Sequence, residues 1–267
     1  MSSIEHLADR AVIRVSGDDR RSFLQGIITQ DIERFSADSA IAAALLTPQG
    51  KILFDFIISE RDDGFLIDCH KDSAPALVKR LTLYKLRAKV AIEIDEATFV
   101  YASKDRFDSA FLDPRLAALG WRSISQKTDD QAGGDYDGRR IGLGVPEFGK
   151  DFESEEMFLM DVNYDLLNAV SYKKGCFVGQ EVTSRMKRKG DARKRTLIAM
   201  FDGAAPAKGA PVTAGDSTLG EVLSTEGDIA LALIRLDRWE AAKAAERQPE
   251  CAGALLQLQL PDYFEQD

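Results

Sequence analysis

Between positions 22 and 35 the apolar residues Phe23, Leu24, Ile27, Ile28 and Ile32 recur at spacings of three and four, so one continuous helix is predicted there. The repeat then gives way to short apolar runs. Ala40–Leu46 and 52–59 read as strands joined by the turn Thr47-Pro48-Gln49-Gly50, and 64–69 reads as a third strand. A second helix opens at Ser73 and Pro75, since serine caps and proline fits a first turn; its apolar positions are Ala76, Leu77, Leu81, Tyr84 and Leu86. Strands follow at 89–94 and 98–102. This order predicts an α+β region with largely antiparallel sheets.

The polar stretch 126–137, with Gly133 and Gly134, reads as a mobile loop. Residues 139–147 are too rich in glycine and proline for a long regular element, and no G-x-G-x-x-G fingerprint lies between a strand and a helix there. Beyond Arg195 short strands at 196–201, 211–212, 219–224, 229–234 and Ala254–Gln259, punctuated by glycine and proline, predict a small β-barrel. The expected domains are therefore 1–193 and 194–267, divided near Arg193.

A chain of 267 residues, 45% hydrophobic and 30% charged, is large enough to bury two cores and has an ordinary globular composition. It carries no run of about 18 apolar residues, and its N-terminus is polar with acids, so neither a membrane span nor a secretory signal is expected. A cytoplasmic location is the expectation. The three cysteines, Cys69, Cys176 and Cys251, are scattered and odd in number, which argues against a disulfide framework. No metal cradle is expected either: there is no C-x-x-C, and adjacent Cys69 and His70 would point to opposite faces of a strand.

Charge is unevenly placed along the sequence. Positions 171–195 hold nine basic residues against Glu181 and Asp191, a local charge of +7 in a chain of −9, leaving −16 elsewhere. The acidic remainder disfavours general nucleic-acid binding, whereas the strip suits an anionic ligand, an acidic partner surface or an RNA backbone. It also reads as a plain solvated face.

Within the strip, Lys174-Gly175-Cys176-Phe177-Val178-Gly179-Gln180-Glu181 sets one cysteine among glycines and lysines at the head of a helix-compatible run, 178–187. Unpaired N–H groups at a helix start, together with Lys173 and Lys174, favour a thiolate, while burial would oppose it. Gly179 inside a helical run costs about 1 kcal/mol, which suggests a close approach at that point. Trp121 and Trp239 read as core anchors.

The string KGCFVGQE, preceded by Asp161–Asp165 and Val170-Ser171-Tyr172, resembles the signature of YgfZ-type folate-binding proteins. These form a branch of the glycine-cleavage T-protein (aminomethyltransferase) superfamily implicated in iron–sulfur protein maturation. Phe23 to Asp31, Thr47 to Lys51, Leu86 to Val90, Asp113 to Leu116 and Leu231 to Arg235 extend the resemblance over nearly the whole chain. It implies a pseudo-duplicated α/β folate-binding region followed by a Greek-key barrel, with the pocket at the centre of the larger region and the cysteine on its rim.

By the same resemblance Cys176 and Lys174 carry the chemistry, Asp161 and Asn163 face a pterin edge, Arg87 and Arg115 hold carboxylates, and Gln180, one turn beyond the cysteine, joins the cofactor-binding residues. An Asx turn at Asp161 and a helix-end role for Arg87 are the structural alternatives. The implied ligand is tetrahydrofolate or a derivative, and the implied partners are iron–sulfur client enzymes or assembly proteins. The implied function is support of cluster assembly or repair; a folate-dependent aminomethyl transferase and an RNA-associated factor in tRNA modification are the alternatives. One departure stands out: where T-proteins have Arg-Leu-Glu-Ala-Gly, this chain has Arg140-Ile141-Gly142-Leu143-Gly144, without the carboxylate that anchors the pterin.

Overall fold

The computed structural model describes residues 3–35, 39–61, 64–126, 134–190 and 192–266. The chain forms two units: Met1–Tyr136 with Leu167–Val182, and Asp137–Leu166 with Thr183–Asp267.

In the first unit, β1 (Glu5–His6) and β2 (Arg10–Ser16) precede α1 (Arg20–Gln25), β3 (Ala40–Leu46), β4 (Ile52–Arg61) and β5 (Gly64–His70). Then come α2 (Ala74–Lys85), β6 (Ala91–Ile94), β7 (Phe99–Ser103), β8 (Phe111–Leu112) and β9 (Trp121–Ser125). One sheet has the order β3-β4-β5-β2-β6 and the other β1-β7-β9-β8, with every pairing antiparallel. Val12, Ile57 and Leu66 of the first sheet share a core with Val100, Ala102, Phe111 and Ile124 of the second. The continuous apolar runs of β3 and β4 follow from burial on both faces.

Helix α2 begins where Pro75 predicts, but the Ser73 hydroxyl donates to the His70 carbonyl instead of capping. Leu86, assigned by pattern to the apolar face, lies beyond the helix at φ 46° and is 85% exposed. The continuous helix expected at 22–35 is also corrected. Only α1 and a 3-10 turn at Ile32–Arg34 are helical, because residues 28–30 bond to β3 and to residues 168–171 instead.

The sequence pattern gave no sign of a buried ionic knot. Asp68 of β5 accepts from Arg10 Nε and Arg122 Nε, both at 2.6 Å, and Arg115 pairs with Asp113 while donating to the Tyr136 hydroxyl at 2.6 Å.

The chain passes from the first unit to the second within α3 (Tyr136–Gly142) and again within α4 (Gln180–Lys189). Part of the stretch 126–137, expected to be a loop, lies outside the described residues, and α3 starts within it. The glycine- and proline-rich run after α3 is ordered by ions: Arg140 donates to Asp137 and Asp151 at 2.6 Å each, and Asp151 also accepts the Glu147 and Ser224 N–H groups.

Strands β10 (Lys194–Phe201), β11 (Pro211–Ala214), β12 (Ser217–Glu226), β13 (Ile229–Arg235), β14 (Glu250–Cys251) and β15 (Ala254–Gln259) close a barrel in the order β10-β13-β12-β11-β14-β15. Inward residues such as Leu197, Val212, Val222 and Leu256 pack with Trp239 of α5 (Leu236–Ala244), so Trp239 is the core anchor expected of it. The α+β class with antiparallel sheets and a C-terminal barrel is as the pattern and the resemblance predict.

Candidate functional site

Three stretches distant in sequence meet in the first unit. Lys174 is 7% exposed, and its ammonium donates to the carbonyls of Gln25 at 2.8 Å, Ile28 at 2.7 Å and Gln30 at 2.9 Å. All three ammonium hydrogens are thus spent on the segment after α1. Thr29 binds the same region: its hydroxyl donates to the Ala169 carbonyl and accepts the Ala44 N–H, both at 2.7 Å, and the Ser171 N–H donates to the Thr29 carbonyl at 3.0 Å. Burial pushes the Lys174 amine down to about 8, against the opposing pull of Asp31.

The turn after β3 joins from the other side. Gly179 has φ +81°, and a Cβ there would lie 2.7 Å from the Thr47 carbonyl oxygen; a Cβ on Gly50, at φ +83°, would lie 3.1 Å from Val182 Cβ. Only glycine at both positions lets the turn close on the residues entering α4. The close approach expected at Gly179 is present. Gly175, by contrast, has nothing within 4 Å of a Cβ.

Cys176 sits exposed between the buried side chains of Lys174 and Phe177, which themselves lie 5.5 Å apart, ammonium to ring centroid. Helix α4 starts at Gln180 rather than 178, so Cys176 precedes its first turn, where the macrodipole acts. The arrangement is an accessible sulfur on a loop fixed at both sides. The other thiols are of a different kind: Cys69 is buried, which pushes it up to about 12, and burial likewise raises Cys251.

The remaining sequence candidates divide between the units. Gln180 opens α4 close to Cys176 in the chain, whereas Arg87 is exposed past the end of α2 and makes no hydrogen bond or ion pair among the described residues. Both belong to the first unit, and Asp161 and Asn163 to the second. Asp161 accepts the N–H of Phe158, three residues before it, at 2.9 Å, which is not the forward bond of an Asx turn. Asn163 is fully buried at φ 60°, with its amide donating to the Thr196 carbonyl and the Tyr263 hydroxyl, both at 2.8 Å. Its N–H donors are spent within the fold, so they are not presented to a ligand edge.

Within the basic strip, Lys174 and Arg195 are spent inside the fold. Lys174 is buried, and Arg195 pairs with Asp165 at 2.5 and 2.9 Å. Sequence reasoning missed the dependence on Gln25, Ile28 and Gln30, because their backbone carbonyls do the binding and side-chain identity carries no signal of it.

Residues 193–266 match the family model described as CAF17, C-terminal beta-barrel domain. The human protein named iron-sulfur cluster assembly factor IBA57, mitochondrial, is 30% identical over 97% of this chain and 84% of its own length. A homologue of the same name from Neurospora crassa is 33% identical over 77% of this chain, which spans 55% of that protein. Among solved structures, glycine cleavage system aminomethyltransferase T from Bartonella henselae superposes with TM-score 0.74 at 15% identity, covering 98% of this chain and 86% of that one. That likeness confirms the T-protein fold.

The relatives overturn the cytoplasmic expectation, since the human, mouse and Neurospora proteins are mitochondrial. The expectation rests on the lack of an apolar run and on a polar N-terminus with acids, features that suit any aqueous compartment equally. Identity to the human protein along almost the entire chain, with the T-protein fold and the barrel, places this chain in the IBA57 family of iron–sulfur cluster assembly factors.

Proposed function

We propose that this protein acts in iron–sulfur cluster assembly by presenting the Cys176 thiol to a cluster in transit. The observation that carries the reading is an exposed cysteine on a loop anchored by buried Lys174 and Phe177. The names of its relatives, cluster assembly factors, support the same role.

A thiolate is a natural iron ligand, but one sulfur cannot hold a cluster. Among the described residues no group of three His, Cys, Asp or Glu side chains is placed to bind a metal ion. In this reading the other ligands belong to the client or assembly protein that delivers or receives the cluster. The step is a ligand exchange: the Cys176 sulfur bonds to iron as one partner thiolate leaves, and the Cys176 proton passes to the departing thiolate. Lys174 holds the loop in position.

A reduced folate is a narrower proposal. The expected donor and acceptor do not form a matched set, since Asn163 has spent its amide hydrogens and Gly142 supplies no accepting carboxylate. Asp161, whose carboxylate also accepts the Phe158 N–H, is the remaining sequence candidate for a pterin donor, so affinity should be micromolar or weaker, on the order of −8 kcal/mol at most. Calorimetric titration with 5-formyltetrahydrofolate checks it: no saturable heat at millimolar ligand ends the folate proposal and leaves the cysteine reading standing.

The cysteine reading is tested in cells lacking the protein. Cys176→Ala should fail to restore an iron–sulfur enzyme while changing stability by less than about 2 kcal/mol. Full restoration by the folded Ala variant would refute it.

A further inference from the structure

The ten residues of β4 place its far end roughly 30 Å from the turn that packs on Gly179. There a cavity of about 420 Å³ is lined by Ser59 and Arg61 of β4, by Arg106 and Ser109 from the connection between β7 and β8, and by Phe111 of β8. Ile57, Ser59 and Arg61 alternate along the strand and so share a face; Ile57 and Phe111 belong to the core between the two sheets. The cavity is therefore the polar end of that core.

Its lining is short of acceptors. Ser59 is 4% exposed, yet its hydroxyl has no hydrogen-bond partner among the described residues. Buried hydroxyls are nearly always paired, so this one awaits an acceptor. Arg61 gives only one long bond, 3.3 Å, to the Ser109 carbonyl, and Arg106 lies 5.1 Å over the Trp121 ring. Neither guanidinium makes an ion pair with a described residue. The lining carboxylate, Glu60, is taken by Arg21 at 2.6 and 2.5 Å.

We propose that this cavity binds a small organic oxyanion, a phosphate or a carboxylate, through Arg61, Arg106 and the Ser59 hydroxyl. Guanidinium groups suit both by forked N–H donation, and the volume leaves room for more than the bare anion. Nothing in this site depends on Cys176.

The test titrates the full chain with inorganic phosphate and, separately, with glutarate at constant ionic strength, followed by amide NMR. Saturable shifts at residues 59–61 and 106–111 are expected with one of the two, and the tighter arm identifies the anion class. Ser59→Ala should weaken binding about threefold or more without lowering the melting temperature, and Arg61→Gln with Arg106→Gln should weaken it about tenfold or more. No saturation by either probe below about 50 mM, or undiminished binding in the folded double arginine variant, would overturn the proposal.

Discussion

Replacing Lys174 with methionine keeps an unbranched side chain of similar length and removes the ammonium, leaving the Gln25, Ile28 and Gln30 carbonyls without their shared donor. Three bonds to a charged donor at about 1.5 kcal/mol each sum to about 4.5 kcal/mol. Relief from desolvating the cation, the same burial that lowers its pKa from 10.5 to about 8, offsets about 3 to 4 kcal/mol. The net loss is about 1 kcal/mol, a factor of about five in local opening. Two units need not unfold together, so native-state hydrogen exchange at residues 26–31 and 169–182 is the assay of choice. Exchange in those segments should accelerate more than in the barrel strands. A change below about threefold there would show that water replaces the ammonium without penalty and would refute the anchoring role. Stability also acquires a pH signature. Between about 8 and the ordinary 10.5, the unfolded chain holds a proton that folded Lys174 has released, so stability rises with pH across that window. Lys174→Met should lack this rise.

Other consequences are simpler to measure. Iodoacetamide should modify Cys176 in the native protein well before Cys69 or Cys251, because only Cys176 is exposed; mass spectrometry of a time course decides it, and early labelling of Cys69 would contradict the burial that raises its pKa. Gly179→Ala combines a left-handed φ with a Cβ 2.7 Å from the Thr47 carbonyl, so it should lower stability by about 2 kcal/mol in urea titrations, whereas Gly175→Ala should be near neutral. Asp68→Asn strips the shared charge from Arg10 and Arg122 and should cost about 3–5 kcal/mol, read from the same titrations. Gly142→Glu meets no atom within 4 Å of its Cβ and should fold normally; any folate heat should strengthen in this variant, and an unchanged titration would remove the missing carboxylate as the reason for weak binding.

How far the sequence could be read depended on whether the determining partner was local. Strands β3 and β15 were legible to the residue because their patterns and turn residues are self-contained, and the barrel followed from short runs between glycines. Strand β2 does not stand out in the pattern, although its neighbours β5 and β6 do, because Arg10 and Arg14 interrupt its apolar run. Arg10 is tolerated there by Asp68, 58 positions away, and no window of ten or twenty residues contains that information. The same holds for Arg140, whose acid partners order a stretch too rich in glycine and proline for a long regular element.

At the candidate site the failure and the success have one cause. The spacing of Phe23, Leu24, Ile27, Ile28 and Ile32 does describe a buried face: Phe23, Leu24, Ile28 and Ile32 are all in the core. What the spacing could not register is that a lysine some 145 positions on would gather three carbonyls from that segment, while Thr29 tied its backbone to β3. Lys174 and Cys176 look alike in sequence, two reactive side chains in one motif, yet the fold separates them. The ammonium is fully bonded inside, and the sulfur is displayed outside. In the proposed function, therefore, Lys174 stabilises the loop conformation and Cys176 carries the chemistry. Substitution at Lys174 should therefore mimic loss of Cys176 only to the extent that the loop itself becomes disordered.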